Sequence, residues 1–522
     1  MTSNNQIPPQ GQSFSPTGNP GAQAVVNLRH LLTLLAVVAG ALIWLWPSAP
    51  GPLPTVWPGL FAWTMGIVLF NLLAWSNIRG KMVAVVATGW LVAALANSVV
   101  ALMQYFDLEA AFAPFMAMSM PGYADANTRQ PNHFGTLVGA GLLALLWLVR
   151  TQKIRWSYAL CMAALLALGM AASASRTGML HLILITGLAG LWRAPRQRQA
   201  LFLCGWTLTV YVLSSFALPW ALEHVAGIDG RNIFSRMTED YACHSRKVLY
   251  SNMFHLVSLK PMTGWGWGEL AHAHYSTLFE GPRFCELLTN AHNLPLHIAV
   301  ELGVPVAALL CVGLGWLVGR QKPWQEKDPA RQMTWSVLLL VGVHSLLEYP
   351  LWFGNFQTMV ALCIWLLVWR KRPEVVTSGT FPDVWRLAGG SLVALLGLSY
   401  VGLDYFRISQ LYLPVQERAA SYRTETLEKV RSTWLFSSQV LFAQVVITSI
   451  DKDNAAALLA ASLAALHIAP ESRIIEKVID SARLLGKEDL ALEHMALYKA
   501  ADPANFAQWV LKQPNKFEPL SP

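Results

Sequence analysis

Residues that could carry out chemistry occur in five separated segments of an otherwise apolar chain. The segments are QPNHFG, SASRTG, HSRKVLY, NAHNLPLH and HSLLEYP, and their polar residues are Asn132, His133, Arg176, Arg246, His292, Asn293, His344, Glu348 and Tyr349. Ionisable side chains among apolar residues are costly unless they are paired or face water. Guanidinium groups bind phosphate oxygens, and an imidazole can accept a proton from an attacking hydroxyl. Two arginines with a histidine therefore indicate a substrate that has a phosphate or pyrophosphate leaving group.

Membrane-spanning helices must position these residues. The 522-residue chain has 54% hydrophobic and 13% charged residues, unlike a soluble globular protein. Its apolar runs are long enough for a helix to cross roughly 30 Å of hydrocarbon, and they do not alternate as the strands of a barrel would. We predict an all-α polytopic membrane protein with about eleven transmembrane helices. The predicted spans are 28–46, 55–75, 82–104, 132–149, 156–172, 177–192, 200–219, 291–318, 334–351, 354–369 and 385–403.

Basic residues between the spans predict the orientation. If the N-terminus lies inside, every loop that faces the cytoplasm is basic. These loops contain Arg79 and Lys81; Arg150, Lys153 and Arg155; Arg193, Arg196 and Arg198; Arg320, Lys322, Lys327 and Arg331; and Arg370, Lys371 and Arg372. The opposite loops, 47–54, 105–131 and 220–290, are uncharged, acidic on balance or mixed. The net charge of +8 is thus explained by the basic loops that set the orientation in the membrane, and no nucleic-acid partner is expected. The same orientation places the polar residues named above on the outer face.

The same pattern divides the chain into five regions. Residues 1–27, rich in Pro, Gly, Ser, Asn and Gln, predict a disordered cytoplasmic leader. Two groups of spans, 28–219 and 291–403, flank a long external loop at 220–290. Residues 404–522 predict an external helical domain that resembles paired tetratricopeptide helices. That tail is either a stabilising cap or a docking surface for another protein.

Two of the six cysteines, Cys243 and Cys285, lie in the external loop, and the other four lie within predicted spans. An oxidising compartment would allow these two to form a disulfide that staples the loop. The alternative is two free thiols. Since the sequence has neither metal-ligand spacing at these cysteines nor a metal-binding pair of carboxylates, we expect no metal and no cofactor.

The order of the motifs carries a resemblance. QPNHFG, SRTG, an arginine followed by KPMTGWGWGEL, AHNLPLHIAVELG and HSLLEYPLWFGNF resemble the Wzy_C superfamily of O-antigen ligases, O-antigen polymerases and bacterial O-oligosaccharyltransferases. HSLLEYPLW and the helical tail are most similar to the PglL-type protein O-oligosaccharyltransferases. The resemblance implies a GT-C-like fold at the inner membrane. It also implies transfer of a whole glycan from undecaprenyl pyrophosphate to Ser or Thr of periplasmic proteins such as pilins, at the periplasmic face.

The resemblance also assigns roles to residues. It implies that His292 is catalytic, that Arg176 and Arg246 bind the pyrophosphate, and that the remaining polar residues of the five segments support them. The loop offers five alternative histidines, His244, His255, His272, His274 and His297. The expected partners are the lipid-linked glycan, an acceptor protein and membrane lipids. The alternative functions are an O-antigen ligase that uses lipid A core as acceptor, an O-antigen polymerase, and a transporter or flippase.

Overall fold

The structure is a computed structural model that describes residues 20–46, 52–75, 81–192, 196–228, 242–369 and 381–512. Residues 1–19 of the predicted leader and the basic residues Arg79, Arg193, Arg370, Lys371 and Arg372 lie outside the described residues. Across the described ranges the chain is helical and contains no β-strand, which confirms the all-α prediction there.

The helices fall into four consecutive groups. The first group is α1 (Pro20–Leu42), α2 (Val56–Trp75), α3 (Met82–Tyr105), α4 (Pro131–Arg150), α5 (Trp156–Ala172), α6 (Arg176–Leu191) and α7 (Gln197–Ala226). The loop region contains α8 (Arg246–Leu259) and α9 (Leu270–Ser276). The next group is α10 (Leu294–Leu302), α11 (Val304–Gln321), α12 (Pro329–Ser345), α13 (Gly354–Trp369) and α14 (Phe381–Ser409). The tail contains α15 (Thr426–Val430), α16 (Ser437–Ile447), α17 (Ala455–Leu466), α18 (Ser472–Leu484), α19 (Glu488–Ala501) and α20 (Pro503–Leu511).

Six helices in the described part of the chain, α2, α3, α4, α7, α11 and α14, are long and apolar enough to cross a membrane, so the chain is a multi-pass membrane protein. A helix overlaps each of the eleven predicted spans, but several of these helices are shorter, and the count of eleven crossings stays a prediction. The predicted span at 291–318 is divided into α10 and α11 at Gly303, which has a φ of 87°. α1 starts at Pro20, before the predicted first span.

Helix α4 is almost wholly buried and packs against α3, α5, α6, α7 and α12. Small residues allow this close packing. A Cβ added to Gly135 would lie 2.9 Å from the Cα of Gly178 in α6, and one added to Gly139 would lie 2.8 Å from Leu340 in α12. The N-terminal ends of α4 and α6 therefore meet at the C-terminal end of α12, which runs antiparallel to α4.

The tail has its own core and packs on the loop. Residues of α16 to α20, including Val445, Leu459, Val478 and Tyr498, are buried together with Tyr275 of α9. The hydroxyl of Tyr275 lies 2.8 Å from Nδ1 of His494 in α19. The loop is thus held between the membrane helices and the tail.

Candidate active site

Four polar residues of the site lie at the N-terminal ends of four different helices. A side-chain oxygen caps each helix by accepting a backbone N–H. The distances from the backbone nitrogen to the capping side-chain oxygen are, for α4, 2.7 Å from His133 to Gln130; for α6, 2.9 Å from Gly178 to Ser175; for α8, 3.3 Å from Val248 to Ser245; and for α10, 3.0 Å from Leu296 to Asn293. Asn132, Arg176, Arg246 and His292 each lie within two residues of a cap. These residues therefore sit where the helix dipoles are positive, which favours an anionic ligand.

Glu348 is the point at which three of these segments meet. Its Oε1 accepts hydrogen bonds from Nη2 of Arg246 at 3.1 Å and from Nδ2 of Asn132 at 3.3 Å. Its Oε2 lies 2.7 Å from Nδ1 of His292. The residue is buried in the turn after α12, where its backbone N–H donates to the carbonyl of His344 at 2.8 Å. One carboxylate thus joins α4, α8 and the segment before α10; these four residues, Asn132, Arg246, His292 and Glu348, are called the Glu348 cluster below.

The ionisation of Glu348 decides which nitrogen of His292 carries a proton. Burial would raise the pKa of Glu348, but the hydrogen bond from His292 and the charges of His292 and Arg246 together hold it below its ordinary value. An ionised carboxylate can only accept hydrogen bonds. Nδ1 of His292 therefore carries the proton that it shares with Glu348. In the neutral ring Nε2 is then an acceptor, which is the arrangement of a general base oriented by a carboxylate.

The backbone and neighbours of His292 fix its ring. Its φ is +50°, in the left-handed region that non-glycine residues seldom adopt, and its N–H donates to Oδ1 of Asn290 at 2.8 Å. The ring of Tyr349 lies edge-on at 5.1 Å, and Nδ2 of Asn293 donates to the carbonyl of Leu346 at 3.0 Å. The side chain of His292 is still 29% exposed. A substrate can therefore reach a ring whose orientation is already set.

A second hydrogen bond extends this network to α6. The hydroxyl of Ser175 donates to Oδ1 of Asn132 at 2.8 Å. Arg176 follows directly as the first residue of α6, and its side chain is exposed. The structure thus brings Asn132, Arg246, His292 and Glu348 into direct contact. Arg176 is the sequence neighbour of Ser175, which belongs to this network.

His133 and His344 occupy a different environment from His292. Both are buried, with ring centroids 5.3 Å apart, and His133 packs edge-on against Phe353 at 4.3 Å. The ring centroid of His181, a residue of α6, lies 6.3 Å from that of His344. We call His133, His181 and His344 the histidine layer. His181 was not among the predicted site residues, because its only signal in the sequence is a lone histidine in the apolar run MLHLIL.

The five alternative histidines lie in other surroundings. His274 is buried, and burial and the charge of Arg283 lower its pKa to about 3. His297 is buried against Trp352, with ring centroids 5.0 Å apart. His255 is exposed on α8. The other two contact glutamates, His244 with Glu286 and His272 with Glu269. The contact of His292 with Glu348 makes it the best placed of the loop histidines for chemistry beside Arg246.

Two features of the loop position α8 and α10. A disulfide joins Cys243 to Cys285, with Cα atoms 5.5 Å apart, so that the start of α8 is tied to the segment before α10. The segment 260–270 lies alongside the C-terminal end of α10. The backbone N–H of Trp265 donates to the carbonyl of Val300, and the N–H of Gly266 donates to the carbonyl of Glu301, both at 2.9 Å. Gly264 has a φ of 66°, and a Cβ there would overlap the backbone of Glu301. Glycine is required at this close approach.

Comparison with known proteins gives two family matches and two relatives. A model of the Wzy_C family, described as O-Antigen ligase, matches residues 161–311, and a Wzy_C_2 model, described as virulence factor membrane-bound polymerase, C-terminal, matches residues 332–516. A general O-oligosaccharyltransferase of Acinetobacter baylyi is 25% identical over 67% of this chain and 61% of that protein. A ComP-specific O-oligosaccharyltransferase of the same organism is 23% identical over 63% of this chain and 56% of that protein.

The matched part of the chain spans about three fifths of the length of these relatives. No solved structure matches the chain. The two family matches include Arg176, Arg246, His292, His344, Glu348 and Tyr349. Most residues of the candidate site thus lie within the matched segments.

Proposed function

Because the chain belongs to the Wzy_C superfamily, we propose that it is an O-linked oligosaccharyltransferase. It moves a glycan en bloc from undecaprenyl pyrophosphate to Ser or Thr of periplasmic proteins such as pilins. The similarity to two O-oligosaccharyltransferases supports the reaction type. The observation that carries the proposal is the contact of Arg246 and His292 with one buried carboxylate, among the N-terminal ends of four helices.

Arg246 and Arg176 bind the pyrophosphate of the donor in this proposal. A guanidinium has five N–H donors, so Arg246 keeps donors for phosphate oxygens while Nη2 contacts Glu348. The positive ends of the nearby helix dipoles favour the same anion. Charge grows on the phosphate oxygen as the glycosyl bond breaks. Groups already aimed at this position stabilise the transition state without moving.

His292 activates the acceptor hydroxyl. The oxygen of Ser or Thr attacks the anomeric carbon, its proton passes to Nε2 of His292, and the pyrophosphate leaves with the electrons of the broken carbon–oxygen bond. Glu348 is a positioning residue in this scheme, because it holds Nδ1 of His292 and Nη2 of Arg246 at the same time. Asn132 supports that carboxylate from α4.

The reaction takes place at the periplasmic face of the inner membrane. Two arguments support this location: the basic loops predicted to face the cytoplasm, and a donor whose lipid carrier keeps it in the bilayer. The site residues lie at the opposite ends of the spans from those basic loops. A helical tail that packs on the catalytic loop offers a surface on which a protein acceptor can dock.

Reconstitution tests the proposal. Purified protein is mixed with lipid-linked oligosaccharide and candidate pilins, and the intact mass of each pilin is measured. We expect a mass increase equal to one or more whole glycans, and no increase with an Arg246→Ala variant. Unmodified pilins under conditions in which the donor is consumed would reject a protein acceptor.

The alternative is an O-antigen ligase, because one matching family model carries that description. A ligase uses the same donor and differs in its acceptor. A second arm of the experiment supplies lipid A core instead of pilin. Transfer to lipid A core alone, seen as a shifted lipopolysaccharide band, would assign the ligase reaction, and a lengthened lipid-linked glycan would assign a polymerase.

A further inference from the structure

A second cluster of ligand-type side chains joins the loop to the tail, apart from the Glu348 cluster. Glu269 precedes α9, His272 lies in α9, and His467 directly follows α17. Nδ1 of His467 and Nδ1 of His272 lie 2.7 and 3.6 Å from Oε2 of Glu269. The two imidazole rings stack with their centroids 3.8 Å apart. Three ligand atoms from two regions of the chain thus lie within 4.8 Å of one another.

The donors and their spacing suit zinc. A tetrahedral Zn²⁺ ion with bonds of about 2.0 to 2.2 Å holds its ligand atoms roughly 3.3 Å apart. The two nitrogen–oxygen distances in this cluster lie on either side of that value. Two imidazoles and a carboxylate are also a ligand set that zinc accepts. The side chain of His467 is 51% exposed, so water can reach a fourth position.

Two other cationic or ionisable groups lie near the cluster, and each is already engaged in another contact, so neither prevents zinc binding. The charge of Lys260 acts on His272, but its ammonium group lies over the ring of Trp265, 4.1 Å from the centroid. His494 also faces His272, and its Nδ1 is already paired with the hydroxyl of Tyr275. The carboxylate of Glu269 supplies the negative charge that a divalent cation needs.

The cluster lies where a bound metal would connect the tail to the loop. Glu269 lies between Gly268 and Leu270, whose backbone N–H groups donate to the carboxylate of Glu301 in α10. A metal bound to Glu269 and His467 would therefore connect α17 of the tail to the backbone that holds the end of α10. The nearer ligand in sequence, His272, lies three residues before Tyr275, which contacts α19, so the two contacts would act together.

We infer that Glu269, His272 and His467 form a structural zinc site that fastens the tail to the loop, with water as the fourth ligand. The site does not depend on the proposed transferase function. It is separate from the Glu348 cluster and leaves unchanged the expectation that glycan transfer itself needs no metal. Loss of the fastening is expected to free the tail without removing any group of the candidate active site.

Zinc content tests the inference. The full chain is purified in detergent with an affinity tag that lacks histidine, stripped with a chelator, loaded with Zn²⁺ and passed through gel filtration. We expect one zinc per chain in the unmodified protein by elemental mass spectrometry. His272→Ala, His467→Ala and Glu269→Gln should each weaken zinc binding by more than about tenfold, because even loss of a residue that only supports a ligand costs that much.

His255→Ala is the matched control, because it removes an exposed histidine from the same loop region and should retain the zinc. Cobalt loading separates this site from the thiols of Cys243 and Cys285. A cobalt spectrum with d–d bands and without a thiolate-to-cobalt charge-transfer band is expected, and such a charge-transfer band would overturn the assignment. This measurement uses the unmodified chain and so does not depend on the folding of any variant.

Limited proteolysis tests the fastening. We expect Zn²⁺ to slow cleavage between the membrane helices and the tail in the unmodified chain and in His255→Ala, but not in His467→Ala. Equal zinc retention by all variants would show adventitious surface binding and would overturn the inference. So would the absence of retained zinc in the unmodified chain. Neither outcome touches the proposed function, because glycan transfer is not the readout.

Discussion

The Glu348 cluster and the histidine layer lie next to each other at one end of the helix bundle, and they use similar residues in opposite ways. In the Glu348 cluster, charged and polar groups hydrogen bond to each other at helix ends, and the side chain of His292 is partly exposed. In the histidine layer, imidazoles face each other and Phe353 and are fully buried. The difference teaches that the surroundings of a histidine, rather than its presence in a motif, indicate whether it can perform chemistry.

Helix geometry explains how neighbours in sequence separate into the two regions. Asn132 and His133 are consecutive in α4 and so point in directions about 100° apart. Asn132 faces Glu348, whereas His133 faces the ring of Phe353. Thr136 connects the two regions. Its hydroxyl donates to the carbonyl of Asn132 at 3.0 Å and lies 2.8 Å from Nδ1 of His344.

The largest expected effect separates His292 from every other histidine. His292→Ala removes the proposed base for the acceptor hydroxyl, so we expect glycan transfer to fall by roughly 10²- to 10⁴-fold. The measurement is the rate of glycan transfer by each variant, compared at equal amounts of the protein in the membrane. His255→Ala should transfer at the normal rate. Normal transfer by His292→Ala would remove the chemistry from the Glu348 cluster.

The arginines come next. Arg246→Ala removes the guanidinium that contacts Glu348 and is proposed to bind the pyrophosphate, and we expect a loss of roughly 10²- to 10³-fold in transfer. Arg246→Lys keeps the charge but not the planar pair of donors, so it should recover only part of the rate. Lys247→Ala, one residue further along α8, is the control and should have little effect. Full recovery by lysine would show that charge alone suffices.

Arg176→Ala tests whether the second arginine belongs to the same site. We expect a similar loss of transfer because Arg176 adjoins the Ser175–Asn132 hydrogen bond that reaches Glu348. Kinetics with varied donor concentration would show weaker donor binding as a raised KM. An unchanged KM and an unchanged rate would exclude Arg176 from pyrophosphate binding.

Glu348→Gln should have a smaller effect on transfer, because glutamine keeps the shape and loses the charge that orients His292. The low pKa of Glu348 also gives a pH test of stability. A carboxylate with a depressed pKa contributes stability that is fully present above its unfolded value of about 4.3 and is lost as the pH falls through its folded value. Thermal unfolding in detergent should therefore show the unmodified chain more stable than Glu348→Gln at neutral pH, with the difference vanishing in acid. A difference that grows as the pH falls would contradict this assignment.

The membrane helices were predictable because their signals are local. An apolar run of about 20 residues and its basic flanks can be read from a short window of sequence. The break at Gly303 could not be predicted, because one glycine changes the hydropathy of the run at 291–318 very little. A Cβ at Gly303 would also overlap the backbone carbonyl of Met262, 41 residues earlier in the chain, and the local sequence does not indicate that approach.

The members of the candidate site were predictable from motifs, but their contacts were not. Arg246, His292 and Glu348 lie in separate segments, and the sequence does not indicate that two of them share one carboxylate. The contact depends on a turn after α12 and on glycines that bring α4 close to α6 and α12. The pairing of Glu269 with His467 spans 198 residues and has no local signal at all.

Thr136→Val is expected to have the smallest effect on transfer and provides the sharpest separation of the two regions. Valine has nearly the shape of threonine but leaves the buried Nδ1 of His344 without its hydrogen-bond partner, which costs about 1 to 3 kcal/mol of stability. The midpoint of thermal unfolding should fall, while transfer per folded molecule changes by less than a few-fold, since the contacts of Glu348 remain. If transfer instead collapsed with no loss of stability, the histidine layer would take part in the chemistry, because a packing role alone cannot lower the rate of a protein that is folded normally.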